Sequence, residues 1–219
     1  MSETSWTAVD EYISGHLLKP DSALADALRH NATHGLPPID VSATQGKMLM
    51  LLAQMAGAKH ILEVGTLGGY STIWLARALP DDGRLVSLEI NPDYAKVACE
   101  NLNRAGLGRK VEILTGAALD SLSNMQPSTP FDFIFIDADK QNNVNYVEQA
   151  IRLARPGATI IVDNVVRDGG VLDASSDDDR IVGTRKLFEH IANHAQLDAT
   201  AIQTVGDKGW DGFLLARLR

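Results

Sequence analysis

Cysteine is nearly absent. Cys99, inside AKVACENL, stands alone, so the chain forms no disulfide within itself, and a reducing compartment is the simpler setting. Its neighbours give it the place of a packed helix residue rather than a reactive thiol. Cation is also scarce: 20 Lys and Arg against 28 Asp and Glu leave a formal charge of −8. That balance argues against a broad nucleic-acid footprint, which concentrates basic residues on one face, although a small local contact stays open. No apolar stretch approaches the roughly 20 residues of a membrane span. The opening MSETSWTAVDEY has no basic segment followed by an apolar run, so a soluble, cytoplasmic protein is expected. Aromatics are few at 5%, yet 45% hydrophobic content over 219 residues suffices for one well-buried α/β domain.

The texture changes once along the chain. Residues 1–57 carry helical periodicity only, with Trp6, Val9 and Ile13 on one face and Met48, Leu49, Leu52 and Met55 on another, interrupted by Pro37 and Pro38. Residues 58–219 alternate short apolar runs with amphipathic segments. Seven runs read as strands: HILEVG, RLVSLEI, KVEIL, FDFIFID, ATIIVD, ATAIQTV and GFLLARL. Helical stretches near 70–79, 92–106, 143–155 and 180–195 supply the crossovers that parallel strands need, so the sheet is expected to be covered on both faces. VGDKGWDG lies between the last two runs and offers Gly206, Gly209 and Gly212 for an antiparallel hairpin. DASSDDDR, residues 173–180, reads as a loop before a helix with Ser and Asp available as N-caps. No internal repeat or low-complexity tract is present.

In ILEVGTLGGYST the first strand runs into a helix through Gly65, Gly68 and Gly69, which let the backbone bend sharply and a ligand approach closely. The second strand closes on Glu89, whose carboxylate suits the two hydroxyls of a ribose. Together they imply an adenosine-bearing ligand. The dinucleotide pattern G-x-G-x-x-G fails, since Leu67 and Tyr70 stand where it requires glycine, which weighs against NAD. Glu63 lies inside the first strand, and a buried carboxylate needs a partner. That partner is either a protein cation or turn, or the charged group of a ligand such as S-adenosylmethionine, with its ammonium and sulfonium. The adjacent glycine turn favours the ligand.

The fourth and fifth strands end in FIFIDADK and TIIVDNVV, which puts Asp137 beside Asp163 and Asn164 at the ligand edge of a doubly wound sheet, with adjacent strands about 4.8 Å apart. Two carboxylates and an amide oxygen, without His or Cys, form a hard donor set suited to Mg²⁺, Ca²⁺ or Mn²⁺ and poor for zinc. Each residue alone is more commonly a solvated strand end or a cap; the set carries the metal reading. An oily strand followed by Asp-x-Asp also opens phosphatases of the haloacid dehalogenase type. There the motif follows the first strand and leads into a small residue and Thr or Val, whereas here it follows the fourth and continues as Lys140.

With EVGTLGGYS, FIDADK and VDNV in hand, the chain resembles, over about residues 38–219, the small metal-dependent O-methyltransferases of the catechol and caffeoyl-CoA type. The resemblance implies a Rossmann-like, doubly wound α/β fold with seven strands in the order 3-2-1-4-5-7-6, mostly parallel with the last antiparallel. It implies a metal held by Asp137, Asp163 and Asn164, Mg²⁺ first, and a methyl donor, S-adenosylmethionine, bound by Val41, Glu63, Gly65, Thr66, Ser71, Glu89, Ala118 and Asp137. Asp139 and Tyr146 fall where plant relatives contact the donor, although catechol-type relatives differ at the first; a helix cap and a packed aromatic are the other roles open to them.

Lys140 matches the family's general base. A free lysine has a pKa of about 10.4, so metal and desolvation would have to lower it toward 7 or 8 for efficient proton transfer at neutral pH. The acceptor implied is a small vicinal dihydroxyaromatic, and the family also suggests a homodimer. The acceptor wall is expected from the N-terminal region, VVRDGGVLDASSDDD and Trp210, the last as readily a packing or dimer contact. Arg167 stands where many bacterial relatives carry an aromatic, and either meets a negative group on the acceptor or faces solvent. His30, His34, His60, His190 and His194 show no ligand spacing and read as surface or packing residues. Two other readings keep the donor: methylation of a hydroxylated uridine in transfer RNA, which the acidic balance counts against, and a donor-binding domain without chemistry, which the retained ligands and Lys140 count against.

Overall fold

The seven apolar runs become seven strands of one sheet because each is short, rich in β-branched and aromatic residues, and bounded by glycine or polar turns. In the computed structural model, which describes residues 3–219, these are β1 (His60–Val64), β2 (Arg84–Glu89), β3 (Val111–Thr115), β4 (Phe131–Ile136), β5 (Ala154–Asp163), β6 (Leu197–Gly206) and β7 (Gly209–Leu218). Their order is β3-β2-β1-β4-β5-β7-β6. β1 to β5 are parallel, while β7 pairs antiparallel with β5 on one side and β6 on the other, so the resemblance's topology and the hairpin both hold. Asp207 and Lys208 alone separate the hairpin strands.

The helices are α1 (Glu3–Leu17), α2 (Ser22–Thr33), α3 (Ala43–Met55), α4 (Tyr70–Ala78), α5 (Pro92–Arg104), α6 (Ala118–Asn124), α7 (Asn143–Leu153) and α8 (Asp179–Ala192). Local chemistry starts several of them: Asp21 accepts from the Leu24 N–H, Ser42 from Gln45, and Asn91 from Asp93 just after Pro92. Asp178 caps α8, as the polar run implied. α6 was not expected, because its seven residues are too few to show a helical period. Among the described residues no helix is long and apolar enough to cross a membrane.

Alternation along the strands divides the core into two layers. On one face Leu62, Ile134, Ile136, Ile160 and Val162 pack with α7 and α8; on the other Ile61, Phe133, Phe135 and Ile161 pack with α2, α3 and α4. Two helical stripes differ from expectation. Leu49 is fully buried but Met55 is 81% exposed, because the contact line of α3 runs through Gly46, Leu49 and Ala53. A Cβ at Gly46 would come within 2.3 Å of the Trp74 ring, so close approach to α4 selects small residues over large apolar ones. Val9 on α1 is likewise 55% exposed. Cys99 is exposed rather than packed, since α5 buries Ala95, Ala98 and Leu102, a line that passes it by.

Candidate active site at the carboxyl edge of the sheet

β1 and β4 approach closely where their loops begin. Gly65 sits at φ +100°, and a Cβ there would fall 2.1 Å from the backbone oxygen of Asp137. Only glycine allows both the conformation and the approach. The turn after it is held from beyond: Glu89 Oε2 accepts from the backbone N–H groups of Thr66 (3.2 Å) and Leu67 (2.7 Å), while Oε1 accepts from Asn91 (2.9 Å). The Thr66 and Ser87 hydroxyls share a 2.6 Å hydrogen bond. From the outside, Asn101 donates to the Gly68 carbonyl (2.8 Å) and to Asn31 (2.9 Å), and Asn31 donates to Asp40 (3.0 Å).

Glu63 is fully buried and stands behind the cavity wall rather than in it. Its carboxylate accepts from three hydroxyls, Ser71 (2.6 Å), Thr72 (2.6 Å) and Ser87 (2.7 Å). The partner that the sequence left open between a protein group and a ligand is thus a hydroxyl set, with Ser71 between Glu63 and the cleft. Burial, opposed by those hydrogen bonds, pushes Glu63 up to about 7.

A cleft of about 850 Å³ opens above this edge. Of the expected donor-binding residues, Val41, Gly65, Thr66, Ser71, Glu89, Ala118, Asp137, Asp139 and Tyr146 line it, and Lys140 and Asn164 stand in the same wall. Asp139 occupies the N-cap position of a 3-10 turn at Lys140–Asn142 but caps no backbone N–H; its carboxylate accepts from the Tyr146 hydroxyl and the Asn142 amide. Burial first, and then Asp139, raise the Tyr146 phenol above its ordinary value, so it stays a donor.

Ile136 and Val162 are register partners in β4 and β5, so Asp137 and Asp163 follow at equivalent strand ends. Lys140 is 6% exposed, and its Nζ lies 2.9 Å from Asp137 Oδ1. Asp163 accepts from Gln45 Nε2 (2.6 Å) and from the Asn164 N–H (2.9 Å). Burial, then the Asp137 charge, push Asp163 up to about 7 against the pull of Lys140. Asn164 takes φ +59°, a left-handed value asparagine tolerates. A buried carboxylate held at such cost beside a second one, with an amide oxygen next in sequence, fits a hard divalent cation.

A smaller cavity of about 240 Å³ meets the cleft at Asn164. Its wall comes from Asp10, Gln45, Met48, Lys208, Asp211 and Phe213, among others. The N-terminal region and the β6–β7 hairpin thus share this wall, although Trp210, the hairpin residue named from the sequence, does not line it. Arg167 faces the large cleft, 3.7 Å from Asp211. Trp210 packs over Gly169 and donates to Gln203 (3.1 Å), a packing role. Gln45 and Asp211 went unnoticed in the sequence: the first was hidden in an amphipathic helix, and the second binds the Val166 and Arg167 N–H groups (3.0 Å each) from 44 and 45 residues away.

The two raised carboxyls set a pH dependence. With divalent cations removed, the folded protein keeps protons on Glu63 and Asp163 that the unfolded chain releases between about pH 4 and 7. Their contribution is therefore most favourable below the unfolded pKa and is lost as pH rises through about 7. Urea unfolding in chelator should show stability falling by on the order of a few kcal/mol from pH 5 to pH 8, and Asp163→Asn should flatten that slope. An equally steep slope in the variant would remove Asp163 as its source.

A family profile described as O-methyltransferase matches residues 16–218. The catechol O-methyltransferase of Mycobacterium tuberculosis is 54% identical over 211 residues, covering 96% of this chain and 95% of that protein. A catechol O-methyltransferase of Niastella koreensis is 49% identical over 218 residues, 99% of each. Among solved structures, an O-methyltransferase from Bacillus cereus in complex with SAH matches with a TM-score of 0.98 and 54% identity over the whole of both chains. With a profile over nearly its whole length and relatives about half identical, the chain belongs to the O-methyltransferase family and is an S-adenosylmethionine-dependent enzyme of class I.

Proposed function

We propose that the enzyme transfers the methyl group of S-adenosylmethionine to one hydroxyl of a small vicinal dihydroxyaromatic, a catechol or caffeoyl-type acceptor. One observation carries this reading: Asp137, Asp163 and Asn164 converge at adjacent strand ends with Lys140 against Asp137, where the large cleft meets the smaller cavity. The donor fills the large cleft. Ser71, whose hydrogen is given to Glu63, keeps its lone pairs for the donor ammonium. Glu89 shares its remaining acceptor capacity with the ribose, Ala118 lies against the adenine, and the backbone at Gly65, Thr66 and Val41 completes the cradle.

Asp137, Asp163 and Asn164 hold a divalent cation, Mg²⁺ by preference with Mn²⁺ or Ca²⁺ as substitutes. It supplies Lewis-acid charge that lowers the cost of ionising a phenol of pKa about 10. Lys140 takes the phenolic proton as the neutral amine, having first released to solvent its own proton from the ammonium that faces Asp137. The acceptor oxygen attacks the methyl carbon as the carbon–sulfur bond breaks, and the sulfonium becomes the neutral thioether of S-adenosylhomocysteine. Orienting the two reactants can contribute about 7 to 11 kcal/mol in well-aligned systems.

Donor-dependent methylation of catechol and caffeoyl esters should vanish with chelator and return with Mg²⁺. Full activity in chelator would sink the metal assignment. Lys140→Met should lower kcat by roughly 10²-fold while donor affinity measured by calorimetry stays within a few-fold. Equal losses in both would make Lys140 a structural residue instead.

A further inference from the structure

The second half of α8 approaches α7 on the side of the molecule that the proposed chemistry does not use. His190 Nε2 lies 2.6 Å from Glu148 Oε1, and His194 Nε2 lies 3.3 Å from the same oxygen. The three ligand atoms all fall within 4.8 Å of one another. The histidines alone show no ligand set in the sequence, because the third donor is Glu148, 42 residues from His190. His190 lies in the last turn of α8 and His194 just past its C-cap residue Asn193, where the chain leaving the helix brings both rings to the same oxygen of Glu148, which comes from another helix.

From this cluster we infer a second metal site, taking a borderline divalent ion such as Zn²⁺, Ni²⁺ or Co²⁺. Two imidazoles and a carboxylate form a mixed nitrogen–oxygen set, whereas the cluster at Asp137 offers oxygen alone. Donor atoms of a tetrahedral site with bonds of about 2.0–2.1 Å stand about 3.3 Å apart, so side-chain rotation suffices to close the set. The three side chains are 30%, 16% and 48% exposed, leaving a route in and a position for water. The carbonyl end of α8 adds favourable potential for a cation.

Coordination asks one change of His194. The Gln196 N–H donates to its Nδ1 at 3.3 Å, which places the proton of the neutral ring on Nε2, facing Glu148. Binding through Nε2 moves that proton to Nδ1 and gives up this long hydrogen bond. The ion then ties α7 to the end of α8. Both helices bear on Lys140: α7 follows directly from its turn, and Gly183 of α8 packs so closely that a Cβ would meet the Lys140 carbonyl at 2.4 Å. The site is a clamp behind the catalytic edge.

Calorimetric titration of ZnCl₂ into the full-length protein saturated with Mg²⁺ tests this. One equivalent should bind and raise the melting temperature, and Co²⁺ in its place should give the visible bands of a nitrogen-ligated ion. The double variant His190→Ala, His194→Ala should lose these bands and bind Zn²⁺ at least about 10- to 100-fold more weakly, with Glu148→Gln between the two. Equal Zn²⁺ binding by wild type and double variant, or no saturable binding by the wild type, would overturn the site.

Discussion

Asp163→Asn should lower Mg²⁺-dependent catechol methylation by about 10³-fold, equivalent to about 4 kcal/mol of barrier, while leaving the fold intact. The substitution keeps the shape but removes the charge of one of two carboxylates proposed to hold the cation. It also relieves a cost. Asp163 is 4% exposed and sits beside Asp137, and both burial and that charge oppose its ionisation. A neutral amide carries neither penalty, and Gln45 can rotate its own amide to present oxygen to the new NH₂ group. Urea unfolding in chelator at pH 8 should therefore find the variant at least as stable as the parent. Activity within about tenfold of the parent would refute the assignment; a collapse of stability would make Asp163 structural instead.

Gly65→Ala acts on the fold and the donor site together. The new Cβ meets the Asp137 carbonyl oxygen at 2.1 Å, in a backbone conformation of φ +100° that alanine disfavours. Strain of about 1–3 kcal/mol and overpacking of about 1–3 kcal/mol sum to roughly 2–6 kcal/mol, among the larger single-residue effects. Relief requires the ends of β1 and β4 to separate. The Asp137 N–H donates to the Val64 carbonyl at 2.8 Å, so separation displaces the proposed metal ligand as well as the glycine turn. A lower urea midpoint and the loss of measurable donor binding are expected together. A stability change under about 1 kcal/mol with donor affinity kept would show that the strands yield locally.

Much of the proposed catalytic edge was legible because it is local in sequence. A period-two run ending in DADK or VDNV places its polar residues at a strand end, and parallel strands bring such ends to one side. Asp137, Asp163 and Asn164 were placed at this edge in that way, as were the glycine turn and Glu89, while the role of Lys140 came from the family resemblance. Roles that depend on remote partners were not legible. Glu63 was open between a ligand and a protein partner, and its hydroxyl partners come from α4 and β2, one of them 24 residues away. Gln45 reaches Asp163 across 118 residues, and His190 reaches Glu148 across 42. Asp139, open between donor contact and cap, proved to be a partner of Tyr146 in the cleft wall that caps no backbone.

Burial was legible where large apolar residues alone decide it and misread where close packing does. The stripe ending at Met55 and the packed place assigned to Cys99 both assumed that apolar residues face inward. Helices that approach through Gly46 or Ala98 turn their faces to suit the small residues.

By itself the sequence determined the alternation of strands and helices, the hairpin, and the donor types at each strand end, because hydrophobic period and turn chemistry act over a few residues. Only the tertiary structure decided which side chain each buried carboxylate meets, which helix face touches the sheet, and that two surface histidines find a glutamate. Those outcomes depend on contacts between residues far apart in the chain, and no local pattern encodes the distance between them.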